Sequence, residues 1–341
     1  MAAAPRVRAR RGRTPEARDL VAIVRRFSRA RLLVVGDLML DQFISGRVSR
    51  ISPEAPVPVV QVTGESFHLG GAANVAANIR ALGGPAAIAG VIGTDAPGGR
   101  LTRDLRSIGV GVSRVVRGAS YPTIRKIRIL AHQQQVVRLD REPRSLDERL
   151  TRKVTARVLR SLHGFDGIVV SDYNKGVVSR ALLEQLGKRT QGKPMLFIDP
   201  KKGNFQHCVG ATLVKPNLEA ASLASGIEIV DERSLAKAGE RLLEQWRCEA
   251  VLISRGEEGM TLFRRNRRME HFPTAAREVY DVTGAGDTAL ATVALALAAG
   301  ATFEDAAVLA NRAAGIVVGK LGTATASAEE LIADLRKTAP A

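Results

Sequence analysis

Cysteine is scarce in this 341-residue chain. Cys208 and Cys248 are the two present, and they form no CxxC pair. That excludes a disulfide framework and a cysteine-based zinc site, and it points to a reduced, cytoplasmic setting. Long apolar runs are also missing. No stretch reaches the roughly 18 residues that a membrane-spanning helix needs, and the alanine-rich segment 289–299 is short enough to read as a buried helix. The five histidines (His68, His132, His163, His207, His271) show neither HExxH nor paired spacing, so no histidine metal site is expected. The chain has no G-x-x-x-x-G-K-[ST]: Gly319-Lys320 is followed by leucine. It is therefore not a P-loop enzyme. Gly284-Ala285-Gly286 lacks the third glycine of a dinucleotide fingerprint and lies far from the first strand, where that fingerprint belongs.

Acidic residues are outnumbered. Lys and Arg total 51 against 34 Asp and Glu, a net charge of +17. Residues 1–31 hold ten arginines against Glu16 and Asp19, so +8 of that charge sits there. The first fifteen residues, rich in Arg, Ala and Pro, read as a disordered arm. No apolar segment of a secretory signal follows. A nucleic-acid arm would interleave aromatic residues for stacking. This one has none, so it reads as a solvated tail. Hydrophobic residues make up 45% of the chain, enough for a real core. The length suits one large α/β domain or two smaller ones.

From residue 31 onward, short apolar runs alternate with helix-period segments. Strands are expected at 31–35, 86–92, 167–171, 195–198, 213–214 and 250–254. Helices are expected at 71–82, 98–108, 146–162, 180–189, 231–245, 286–299 and 303–318. That alternation predicts a mostly parallel sheet covered on both faces. Such sheets bind ligands at the carboxyl ends of their strands. Asp37, Asp172, Asp199, Asn217 and Arg255 each follow one of those runs, so they are candidate site residues. Extended sequence at 42–68 and 110–140 interrupts the alternation and predicts a small lid sheet.

The most informative stretch is Asp281-Val282-Thr283-Gly284-Ala285-Gly286-Asp287-Thr288. It places bare N–H groups and a carboxylate at a helix N-terminus, an anion hole with a base beside it. Such an arrangement can deprotonate a hydroxyl while charge builds on a phosphoryl group. The octet resembles the C-terminal signature of the ribokinase-like (PfkB) family of carbohydrate kinases. Leu69-Gly70-Gly71-Ala72-Ala73-Asn74-Val75-Ala76 resembles the family's other signature. Glycines there let backbone approach a sugar, and Asn74 offers both a donor and an acceptor.

The resemblance spans residues 31–335. It implies a ribokinase-like three-layer α/β fold with a central, mostly parallel sheet and a small β-sheet lid. The domain division it implies is a basic arm at 1–30, the kinase domain at 31–335 and a tail at 336–341. The segments Ser49–Val60, Thr123–Arg128, Gln134–Asp140, Ser171–Gly176 and Gly319–Thr323 are similar, more finely, to those of D-glycero-β-D-manno-heptose 7-phosphate kinases. Those enzymes phosphorylate O1 of the sugar on the route to ADP-heptose for lipopolysaccharide core. The chain ends at Ala341 without an HxGH-type motif, so it resembles a stand-alone kinase rather than one fused to a nucleotidylyltransferase. A kinase for another phosphosugar, such as fructose 1-phosphate or tagatose 6-phosphate, stays open, and so more remotely does a nucleic-acid binder on a kinase scaffold.

The resemblance also implies roles. Asp287 is the base, and after Gly284 the N–H groups of Ala285, Gly286 and Asp287 form the anion hole. Asp37, Asp41, Gly70, Gly71, Asn74 and Asp172 hold sugar hydroxyls. Lys126, Arg128, Arg138 and Lys175 suit a substrate phosphate, for which arginine offers paired donors. Asn217, Leu218, Glu219 and Ala220, the turn Ser254-Arg255-Gly256 to Gly259, and Asn311 lie on the ATP side. Mg²⁺ rides on the phosphates and water. The family's glutamate position holds Ala220, so Glu219 is the remaining carboxylate for the metal. A monovalent cation is allowed beside it. A homodimer through the lid is implied as well, and exposed lid edges favour pairing.

Overall fold

The computed structural model describes residues 17–131, 134–276, 279–320 and 322–337. The first fifteen residues of the arm, His132, Leu321 and the last four residues of the tail lie outside them.

The first half of the chain gives α1 (Ala17–Arg25), β1 (Leu32–Gly36), β2 (Leu38–Ile51), β3 (Pro58–Gly71), α2 (Ala72–Ala81), β4 (Ala86–Gly93), α3 (Ala96–Ser107), β5 (Gly111–Gly118), β6 (Ile124–Ala131), β7 (Gln134–Arg141) and α4 (Glu148–Leu159). The second half gives β8 (Gly167–Ser171), α5 (Arg180–Arg189), β9 (Met195–Asp199), β10 (Leu213–Val214), α6 (Leu218–Ser225), α7 (Glu232–Trp246), β11 (Ala250–Ser254), β12 (Met260–Arg264), β13 (Glu270–Phe272), α8 (Ala285–Ala298), α9 (Phe303–Val318) and α10 (Ala328–Lys337). Among the described residues the main sheet has the order β13-β12-β11-β10-β9-β8-β1-β4-β5.

β1 sits inside that sheet, pairing in parallel with β4 on one side and β8 on the other. All five of its residues are buried. Both faces of a parallel sheet are covered by helices, so such a strand is apolar throughout rather than alternating. The pleat still divides the labour. Leu32 and Val34 join the core under α1, α2, α8, α9 and α10, while Leu33 and Val35 join the core under α4, α5 and α7. From β1 the chain moves outward through β4 and β5, then returns to β8 on the other side. The topological switch point therefore lies between β1 and β8, where sheets of this kind open a ligand crevice.

The second sheet is the expected lid, with the order β3-β2-β6-β7. β2 and β3 form one long antiparallel hairpin, β6 lies parallel to β2, and β7 folds back on β6. Three expectations need correction. The segment at the start of 110–140 is not lid. β5 is the last parallel strand of the main sheet, because α3 acts as a crossover helix returning the chain beside β4. The basic arm does not run to residue 30. α1 carries Leu20, Val21, Ile23 and Val24 into the core, with Phe27 just beyond it. The sheet also continues past β11 through the short antiparallel strands β12 and β13.

Candidate active site

α8 carries the octet's end. Eleven of its residues are buried, as expected for a helix apolar on every side. Small side chains let it pack closely on α2 and α9. Gly284 caps it with φ +86°, and a Cβ there would lie 3.0 Å from Asn74 Nδ2. The first helical hydrogen bond runs from Thr288 N to Gly284 O. The N–H groups of the turn before it are therefore the ones a helix leaves unmatched. Ala285 N already donates to Val282 O, so an anion at this helix end would meet Gly286 and Asp287 N–H rather than the three groups expected. Gly286 itself is exposed.

Asp287 is buried at the third helical position. Asn74 Nδ2 donates to Oδ2 at 2.9 Å, and the Tyr173 hydroxyl donates to Oδ1 at 2.8 Å. Asn78 donates to Asn74 and accepts from Thr288, which ties α2 to α8 beneath the carboxylate. Burial pushes Asp287 up to about 6. Asn74 and Tyr173 pull it down, Asp199 pushes it up and Lys215 pulls it down. Lys215 is itself buried and ion-paired with Asp199 at 2.9 Å. A Cβ on Gly286 would stand 3.8 Å from its ammonium, so a cation flanks the start of α8.

The sugar side differs from expectation in detail. Asp37 does not face an open site: Oδ2 accepts from Tyr173 N and Lys175 N, and Oδ1 from Val177 N. Its carboxylate is fully buried and pushed up to about 6 by that burial. Asp172 is likewise internal, accepting from Asn174 N, Lys201 N and Asn204 Nδ2. Burial raises its pKa too. Both carboxylates brace the switch-point loop, because buried backbone donors need acceptors. Asp41 lies near the start of the lid, on β2. Gly70 and Gly71 allow that approach. A Cβ on Gly70 would fall 2.3 Å from Asp41 Oδ2, and one on Gly71, at φ +58°, 2.6 Å from Asp37 O.

The lid register places Asp41 opposite Lys126, Lys126 opposite Asp140, and Arg128 opposite Arg138. Residues two apart share a face, so the cations expected for a phosphate form one row with Asp41. They are not four free charges. Arg128 is ion-paired with Asp41, Arg138 with Asp140 at 2.9 Å, and Lys175 with Glu142 at 2.7 Å. Among the described residues, Lys126 has no carboxylate partner within ion-pair distance. The Arg138–Asp140 and Lys175–Glu142 pairs are partly exposed and contribute about 0–1 kcal/mol, so a phosphate can replace those carboxylates at little cost, whereas the Arg128–Asp41 pair is largely buried.

On the other side of the crevice, Asn217 and Ser254 form an isolated bridge between the ends of β10 and β11. Asn217 caps α6 through Ala220 N. Leu218 is half-buried and Ala220 buried, while Glu219 is exposed on the same first turn. Arg255 is held by Glu232 and Glu258 and so braces the turn that follows it. That turn needs its glycines: Gly256 has φ +61°, and a Cβ on Gly259 would strike Phe272 O at 2.2 Å. Asn311, on α9, donates to Pro273 O at 2.7 Å. Its amide group therefore fixes the loop after β13 rather than lying free. Gly315, one turn further along, lets the same loop approach α9.

A model of the pfkB family carbohydrate kinases matches residues 29–331. The chain belongs to that family. It is an ATP-dependent sugar kinase on a ribokinase-like fold. The chain is 47% identical to the bifunctional protein HldE of Geobacter sulfurreducens over 89% of its own length, spanning 62% of that relative. It is 45% identical to HldE of Citrifermentans bemidjiense over 94% of its length, spanning 66% of that protein. Among solved structures it resembles Escherichia coli phosphofructokinase-2 in complex with fructose-6-phosphate (TM-score 0.74, 20% identity, 90% of this chain and 99% of that one). It also resembles Arabidopsis thaliana ribokinase complexed with ribose and ATP (TM-score 0.71, 19% identity, 90% and 99%).

In this pfkB kinase, sequence reasoning missed three groups around the carboxylate: Tyr173, Lys215 and Asn78. Tyr173 had a signal, since it lies inside the Ser171–Gly176 run. Lys215 precedes Pro216-Asn217, close to a motif already singled out. Asn78 is one helical turn after Asn74, the spacing of same-face neighbours.

Proposed function

We propose that the protein transfers the γ-phosphoryl group of ATP to O1 of D-glycero-β-D-manno-heptose 7-phosphate, giving the 1,7-bisphosphate needed for ADP-heptose. The observation that carries this reading is the juxtaposition of a buried carboxylate, an anion hole and a lid row of cations. Asp287 stands beside the unmatched N–H groups of α8, and Asp41, Lys126, Arg128 and Arg138 share one lid face. A kinase for a neutral sugar has no use for so many cations. The lid sequences similar to heptose 7-phosphate kinases, and the identity with HldE proteins, support heptose as the sugar.

In this mechanism Asp41 and Asn74 take sugar hydroxyls, and the lid cations take the 7-phosphate. Asp287 accepts the O1 proton as the oxygen attacks phosphorus. Gly286 N–H, Asp287 N–H and the Lys215 ammonium stabilise the charge spreading over the phosphoryl oxygens. ATP lies along the β10–β11 ends, with Gly256–Gly259 under its phosphates and the loop fixed by Asn311 near the adenine.

Mg²⁺ on nucleotide phosphates keeps several waters and needs one or two carboxylates. Asn217 and Glu219, exposed together at the start of α6, are oxygen donors that fit such water-mediated holding. When bound, the ion neutralises phosphate charge.

The exposed lid residues Ile51, Val57, Val62, Val136, Val137 and Leu139 support a homodimer formed lid to lid. Among the described residues no helix is long and apolar enough to cross a membrane. The deciding experiment is turnover with ATP against a phosphosugar panel. The proposal requires heptose 7-phosphate to lead in kcat/KM. A lead for fructose 1-phosphate or tagatose 6-phosphate sinks it.

A further inference from the structure

The loop after β8 is gripped by one carboxylate. Asp37 accepts from the backbone N–H groups of Tyr173 and Lys175, each at 3.0 Å, and of Val177 at 3.1 Å. Held this way, the loop turns the Tyr173 side chain inward. Its hydroxyl donates to Asp287 Oδ1 at 2.8 Å, while Asn74 covers Oδ2 from α2. Two donors from two separate elements leave the Asp287 carboxylate one orientation.

We infer that Tyr173 is a positioning residue for the proposed base: its hydroxyl fixes the Asp287 carboxylate and favours its ionised form, and Asp37 serves that contact by latching the loop that carries Tyr173. The inference rests on the reading of Asp287 as the base. Packing alone would require the ring but not the hydroxyl.

The charged and polar groups facing Asp287 come from four places. Asp199 reaches it from β9 and Lys215 from the turn after β10. Asn74 comes from α2 and Tyr173 from the loop. Asp41 and Asp199 also face Tyr173, and the Lys201 ammonium lies 5.7 Å from its ring centre. Burial first, and Asp287 second, keep the Tyr173 hydroxyl well above its ordinary range. It therefore stays a protonated donor at any working pH.

The test is the pH profile of kcat/KM, whose acid limb reports the base in the free enzyme. Tyr173→Phe keeps the ring and removes the donor. A hydrogen bond to an ionised group is strong enough to move a pKa by about one unit. The acid limb is expected about one pH unit higher in Tyr173→Phe, with kcat on the alkaline plateau within about threefold of wild type. A fluorinated tyrosine placed at 173 is a stronger donor and should move the limb the other way. Asp37→Asn, leaving one acceptor oxygen for three N–H groups, should move it in the same direction as Phe.

An unmoved limb in the Phe variant overturns the inference. A lower sugar KM with an unmoved limb also overturns it, since the hydroxyl would then be standing where the substrate's belongs. Asp287→Asn measured alongside separates the two readings. Near-normal turnover there removes the base itself, whereas lost turnover with an unmoved Tyr173→Phe limb removes only the positioning role.

Discussion

Asp287→Asn tests the chemistry and the electrostatics together. Burial lifts this carboxylate from its ordinary 3.8 to about 6. At pH 7 it is still about 90% ionised, so it can accept a proton. Removing a positioned base costs ~10²–10⁴-fold in rate, and that loss in kcat is expected with little change in either KM. The same shift makes a stability statement. A carboxylate whose folded pKa is raised contributes stability below its unfolded pKa, and that contribution is lost as pH rises through the folded value. For Asp287 the window runs from pH 3.8 to about 6, and the lost contribution is about 3 kcal/mol. The asparagine variant carries no such dependence. Its stability relative to wild type should therefore rise by about 2.4 kcal/mol between pH 4 and pH 8, read from urea unfolding at several pH values. Taking the difference across pH cancels the pH-independent effect of the new amide on Asn74 and Tyr173. Turnover within tenfold of wild type refutes the role of base, and a flat stability difference refutes the burial argument.

Three further outcomes are expected. Gly70→Ala puts a methyl where Asp41 Oδ2 now lies, 2.3 Å away. Displacing that carboxylate should raise the sugar KM about tenfold, the effect of one lost hydrogen bond of about 1.4 kcal/mol, with the ATP KM unchanged in steady-state kinetics. Glu219→Ala should raise the Mg²⁺ concentration for half-maximal rate severalfold in a metal titration, because it removes the exposed carboxylate at the start of α6. Val62→Lys with Leu139→Lys should give a monomer by sedimentation if the lid faces pair. An unchanged sedimentation coefficient points to another interface or none.

Much of the body was legible because parallel strands and their helices announce themselves by apolar run length. The buried strands β8, β10 and β11 have the boundaries expected for them, as do helices α5 and α9. The failures have physical causes. β13 is a three-residue antiparallel edge strand of mixed polarity, and its partner, not its own sequence, makes it a strand. Asp37 and Asp41 both follow β1 in sequence. The loop N–H groups that reach back to Asp37 from Tyr173, Lys175 and Val177 are set by the fold. Such long-range demands leave no local mark. Asp287 was readable because its proposed role needs adjacent glycines and a helix start, a pattern confined to a few residues. Tyr173 reaches the same carboxylate from 114 positions away, so the Ser171–Gly176 run marks the residue but not the partner it meets.

The lid hairpin leaves the body at Leu38 and returns at Gly71, two residues that face each other in the ladder. The start of β6 and the end of β7 join the lid to the body a second time. Asp41 therefore rides on the lid sheet, while Asp287 is embedded in α8 of the body. In the proposed mechanism neither half forms a reaction centre alone. A sugar long enough to touch both would be the spacer that sets the distance from hydroxyl to base, and water is too small to serve. On that proposal waste of nucleotide is resisted by geometry: the acceptor supplies the final structural part of the catalyst that acts on it.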